Sequence, residues 1–210
     1  MYVSIIYVMN NDSTFHIAGI GIPLKLVDAA NKNELVIFAG AGVSSPGIPV
    51  FEKVVEEALE KVKHKHDKIA SLPERLDRVQ RDRTKVKQLV ANVISEYQKK
   101  SRSQNHQTLL NFFKNKDKIR IVTTNYDSNF YEAAQALKLE GLQQYCQPNL
   151  PFGDEFKGIV YLHGRIDDTD SMIMTQTDFS EAYLNRQRTR LFLQELFNQY
   201  TVLFQSFRIK

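Results

Sequence analysis

The sequence predicts an α/β protein: a parallel sheet covered by helices on both faces. Helical and strand patterns alternate along the 210 residues. The strand segments are continuously apolar, which is how strands buried on both faces read. Three of them also end in glycine or polar residues. In such sheets ligands bind at the carboxyl ends of the strands.

The elements follow in order. "MYVSIIYVMNNDSTFH" is apolar, but it has no basic start and no small-residue cleavage site, so it is a poor signal peptide. Residues 1–22 are expected to be an N-terminal extension without fixed order, and 23–210 one domain. Pro23 suits the first turn of a helix running to Lys32. "ELVIFAG" is a buried strand ended by glycine. Residues 51–65 read as a helix, with Val54, Val55, Ala58, Leu59 and Val62 at 3- and 4-residue spacings. Pro73 is expected to interrupt before a polar helical pattern over 74–99. Together, about 52–102 reads as a helical insertion. Leu109, Leu110, Phe112 and Phe113 mark a further helix. "IRIVTTNYD", 119–127, is a second strand with a polar end, followed by a helical stripe of Phe130, Ala133, Ala134 and Leu137. "GIVYLHG", 158–164, is a third strand. "SMIMTQTDF" is expected to hold a fourth, short one. Arg188 to Tyr200 reads as a helix and "TVLFQSF" as the last strand.

Composition narrows the function. At 42% apolar the chain can bury one sizeable core, and no apolar run reaches membrane-spanning length. The single cysteine, Cys146, makes neither an internal disulfide nor a cysteine-based zinc site. A reducing, cytoplasmic setting is the expectation, with no membrane partner. The net charge is +4, and Lys61 to Arg102 holds 13 Lys/Arg against five Asp/Glu. A solvated helical face is the plainer reading of that stretch. Only Tyr97 is aromatic there, so stacking on single strands is unsupported and nucleic acid is disfavoured.

The strand endings carry the chemistry. "GAGVSS" lacks the third glycine of the dinucleotide fingerprint, since Ser45 stands in its place, and no acidic residue ends a second strand at the required distance. A plain dehydrogenase is therefore disfavoured. Gly40 and Gly42 still permit close backbone approach to a pyrophosphate. A tight turn without a ligand would read the same way. Pro46 to Phe51 is expected to be an irregular loop beside the site. Asp127 would serve as an N-cap for the helix that follows. Asn125 offers both a donor and an acceptor at a strand end. His163 stands at a strand end before Gly164, where its near-neutral pKa suits general-base work. His64, His66 and His106 have no metal-ligand spacing around them and are read as structural or solvated, and the aromatics of "NFFKN" and "SEAYLNRQRTRLFLQELFNQY" as core.

In this order and spacing, "GAGVSSPGIPVF", "TTNYD" and "YLHG" resemble the sirtuin NAD-binding core. They are more similar still to the sirtuin-like domains of bacterial anti-phage defence proteins. The resemblance covers roughly Leu24 to Phe204. It implies a Rossmann-like domain that binds NAD without a metal. Gly40, Ala41, Gly42 and Ser44 match the phosphate-binding turn, with Phe51 and Thr124 beside it. Asn125 and Asp127 match the Asn-x-Asp residues near the nicotinamide and its ribose, and His163 the catalytic histidine.

Departures set the subtype. Protein-deacylating sirtuins usually carry two Cys-x-x-Cys pairs after the His-Gly, and this chain has none. Val50 and Glu52 flank Phe51 where the family has an acidic residue and an arginine. The late glycine-serine turn is replaced by Gln205 and Ser206, as in a chain truncated from a longer protein. The resulting expectation is an NAD+ hydrolase that depletes NAD in defence, with Asn125 and His163 catalytic. Its alternatives are a non-catalytic NAD or ADP-ribose sensor and an NAD-dependent deacylase. A homo-oligomer, further domains or a partner sensor protein stay open.

Overall fold

The computed structural model describes residues 14–17, 20–62, 70–81 and 85–205. The remainder of the expected N-terminal extension, His64, His66 and Ser206 lie outside them. At its end, β1 (Thr14–Ile17) and β2 (Ile20–Pro23) pair antiparallel as a ribbon. Pro23 then leads into α1 (Leu24–Asn31).

Five strands form one parallel sheet: β3 (Leu35–Ala39), β4 (Arg120–Thr123), β5 (Gln144–Cys146), β6 (Gly158–Tyr161) and β7 (Thr201–Gln205). Their order is β5-β6-β4-β3-β7. The continuous apolar runs divide between two faces because successive side chains point opposite ways. Leu35, Ile37, Ile121 and Ile159 pack against α5 (Gln104–Asn111) and α6 (Asn129–Ala136) through Leu110, Phe130 and Ala133. Val36, Phe38, Val122 and Val160 pack against Phe192 and Leu196 of α8 (Gln187–Gln199). This is the Rossmann-like α/β architecture that the sequence predicts.

The helical insertion has its own core. α2 (Phe51–Lys61), α3 (Leu72–Arg81) and α4 (Val86–Gln98) bury Val54, Val55, Leu59, Leu76, Val79, Val90 and Ile94 together. Pro73 does not interrupt. It occupies the first turn of α3, where its missing N–H costs nothing. Among the described residues no helix is long and apolar enough to cross a membrane.

One strand assignment changes. Residues 171–179 hold no strand. Met172 and Met174 are apolar because they pack into the core of the insertion. Thr175 and Asp178 then form a reciprocal capping box that starts α7 (Gln176–Ser180). The fifth strand is β5 instead, a partly exposed edge of three residues with no apolar run to announce it.

Candidate functional site

Strand register assembles the site. Ala39, Thr123 and Tyr161 lie side by side on one rung, with Gln205 and Cys146 at its flanks. The next residues of each strand therefore emerge together at the carboxyl edge. Thr123 Oγ1 donates to the Ala39 carbonyl at 3.0 Å and accepts from the Asn125 N–H at 3.1 Å. The second strand ending is thus tied to the first.

The glycine turn folds as a single 3₁₀ turn, Ala41–Val43. Its internal bonds use the N–H groups of Val43 and Ser44. The N–H groups of Ala41 and Gly42 are not used by the turn. Pro46 to Val50 follow as irregular loop, whereas Phe51, expected in that loop, opens α2.

Ser44 is the hub. Its hydroxyl donates to Asp127 Oδ2 at 2.8 Å and accepts from Asn125 Nδ2 at 3.1 Å, and His106 Nε2 lies 3.2 Å away. A hydroxyl has one proton. With that proton on Asp127, His106 must donate through Nε2. Its other nitrogen, Nδ1, is left buried without a partner. Asn125 Nδ2 also donates to the Gly40 carbonyl at 3.1 Å, so this amide clamps the turn from both ends. Asp127 Oδ1 accepts from the Asn129 N–H at 3.1 Å, but the N-cap of α6 is Ser128, so Asp127 binds the first turn from one residue earlier than the capping position expected from sequence. Burial raises the Asp127 pKa, while the bonds from Ser44 and the Asn129 N–H oppose that rise.

His163 follows β6. Its Nε2 lies 2.9 Å from the Tyr183 hydroxyl, and Phe179 meets the ring edge-on. Burial lowers its pKa to about 4, so the imidazole is neutral at pH 7. Gly164 supports this position with φ of +85°. A Cβ there would run into the Ser171 carbonyl. Gly164→Ala is expected to cost about 1–3 kcal/mol, read as a fall in thermal midpoint.

One cavity of about 290 Å³ joins these groups. Ala41, Ser44, Phe51, Thr124, Asn125, Asp127 and His163 line it, so seven of the nine sequence-predicted site residues converge. Gly40 and Gly42 do not line it. The structure adds an apolar wall from the insertion, including Val54, Leu72 and Ile94, together with Tyr126 and Phe179. Tyr183 belongs at His163 and is not simply core. His106, read from sequence as structural or solvated, is buried beneath the site. Among the described residues no group of three or more His, Cys, Asp or Glu could hold a metal ion.

Burial also lowers the His106 pKa to about 4. A histidine depressed in the fold charges more readily in the unfolded chain. Its stabilisation is complete above about pH 6.5 and is lost as pH falls toward 4. His106 and His163 are each expected to contribute a slope of up to about 1.4 kcal/mol per pH unit in that window. Asp127 works in the opposite sense just above its unfolded value. Unfolding midpoints measured from pH 7 to 4 check this, and His106→Gln should flatten the fall.

Comparison with known proteins adds family information. Residues 119–210 match the SIR2-like domain family. That region carries Asn125, Asp127 and His163, and the match supports the sirtuin-like resemblance there. The chain is also similar to the uncharacterized protein y4cA of Sinorhizobium fredii (strain NBRC 101917 / NGR234), at 25% identity over 206 residues. The similarity covers 86% of this chain and 17% of that protein's length.

Proposed function

We propose that this domain binds NAD+ at the carboxyl edge of its sheet and hydrolyses the nicotinamide–ribose bond. The observation that carries the reading is the single cavity where the Ser44–Asn125–Asp127 network meets a neutral histidine. The match to a SIR2-like domain supports NAD as the ligand. A volume of about 290 Å³ suits one end of a dinucleotide, with the rest lying along the edge.

The bond that breaks is the glycosidic C–N bond. Its electron pair leaves with nicotinamide, and positive charge grows on the ribose. Water then adds to the ribose carbon and loses a proton. The products are nicotinamide, ADP-ribose and H+. His163, neutral at pH 7, is the base that takes the proton. Asn125 holds the glycine turn closed and lends its amide to the water or a ribose hydroxyl. Asp127, at the cavity wall, braces Ser44 and faces the nicotinamide amide. The N–H groups of Ala41 and Gly42, which the turn itself does not use, suit the pyrophosphate. A role in anti-phage defence through NAD depletion, in the cytoplasm, belongs to this same proposal.

A sensor reading has one observation in its favour: Asn125 Nδ2 is already committed to Gly40 and Ser44. Calorimetric titration with NAD+ and ADP-ribose, beside a nicotinamide-release assay, separates the readings. Binding with release supports the hydrolase. Saturable binding without release leaves the sensor, and release only with an acylated peptide present leaves the deacylase.

A further inference from the structure

The segment after His163 has a feature that the site chemistry above does not use. α7 continues directly into a π-helical turn, Glu181–Asn185. Such turns insert an extra residue into a helix and recur at functional sites. Here the turn presents Tyr183. Its ring stacks on Phe179 with centroids 6.1 Å apart, and both rings stand nearly perpendicular to the His163 imidazole, at 84° and 86°. Phe179 lines the cavity. Among the described residues Tyr183 is the only hydrogen-bond partner of the His163 ring.

The segment is itself braced by the insertion. Asp77 Oδ2 of α3 accepts from the Thr177 N–H at 3.1 Å and from its hydroxyl at 3.2 Å. Lys87 of α4 pairs with Asp178 at 2.8 Å. Phe179 thus packs on the phenol ring, and the start of the segment that carries it is anchored to α3 and α4.

The geometry points to Tyr183 as a positioning residue that holds His163 in the Nε2–H form and leaves Nδ1 to face the ligand. This rests on the reading of His163 as the base. A base needs an unprotonated nitrogen, and Nε2 is taken by the phenol, so that nitrogen is Nδ1. The ring proton then sits on Nε2 and is donated to the Tyr183 oxygen. A phenol oxygen can accept it, and the same bond persists when Nδ1 takes up a proton. Burial pushes the Tyr183 pKa up to about 12, so the phenol stays neutral and does not itself take the proton.

Tyr183→Phe tests this. It removes the hydroxyl and keeps the stacked ring, so the fold should survive, as an unchanged thermal midpoint would show. In ¹⁵N-labelled protein the wild-type His163 ring should give the Nε2–H pattern, and the variant should shift toward the other tautomer. With NAD+, kcat for nicotinamide release should fall about 10- to 100-fold with KM little changed. A wild-type Nδ1–H pattern overturns the proposal, as do His163 shifts unaltered in the variant or an unaltered kcat in a chain that cleaves NAD+. If the wild type does not cleave NAD+, the hydrolase reading fails by itself, and the ¹⁵N pattern still decides the role of Tyr183.

Discussion

His163→Ala is expected to lower nicotinamide release from NAD+ by about 10²- to 10⁴-fold, the range a positioned base contributes. NAD+ binding should persist, because the residue does not belong to the network that holds the glycine turn. His163 contacts Tyr183 and Phe179, whereas the turn is held by Asn125, Ser44 and Asp127. The pH profile gives a second handle. With a pKa of about 4, the free imidazole is in its basic form throughout the neutral range. The profile of kcat/KM should therefore be flat from pH 6 to 8 and fall on the acid side as the ring protonates near 4. That acid limb should vanish in His163→Ala. A limb near pH 6.5 instead would mean an unperturbed histidine, in conflict with the lowered pKa.

Asn125→Ala should be the more damaging change, because it acts on binding as well as rate. The amide nitrogen joins the Gly40 carbonyl to the Ser44 hydroxyl across two strand ends. Truncation leaves the buried hydroxyl short of one donor and unclasps the turn. A loss of about 1–3 kcal/mol in stability is expected, with NAD+ affinity falling alongside it. Asn125→Asp keeps the shape but sets a carboxylate against the Gly40 carbonyl and close to Asp127. It should fare no better than the alanine variant. Thermal unfolding and calorimetric titration check both. Unchanged affinity and midpoint in Asn125→Ala would mean that this amide does not hold the turn.

Much of the fold was legible because the parallel strands declare themselves. Residues 35–39, 120–123 and 158–161 are buried along their whole length. That demands apolar side chains on both faces, and the pattern survives in the sequence. β5 was not legible, since three half-buried residues at a sheet edge need no apolar run. The apolar stretch at 172–174 misled for the opposite reason: its burial comes from the helical insertion and not from the sheet. The Thr175–Asp178 spacing was the available signal that a helix starts there.

The site divides in the same way. Ser44, Thr124, Asn125, Asp127 and His163 sit just past strand ends, and parallel register brings strand ends together. Their convergence follows from topology alone. His106, Phe179 and Tyr183 arrive from helices, and periodicity shows which face of a helix is buried without showing what it is buried against. In sequence Tyr183 reads as any core aromatic, and it is the π-helical turn that places its hydroxyl on His163.

The most direct test of the central claim is to incubate the purified chain with NAD+ and follow the nicotinamide and ribose proton signals by NMR. Nicotinamide and ADP-ribose should appear in equal amounts without any acylated peptide, and their appearance should be lost in His163→Ala. Intact NAD+ after saturable binding would contradict it and leave a domain that reads the nucleotide without breaking it.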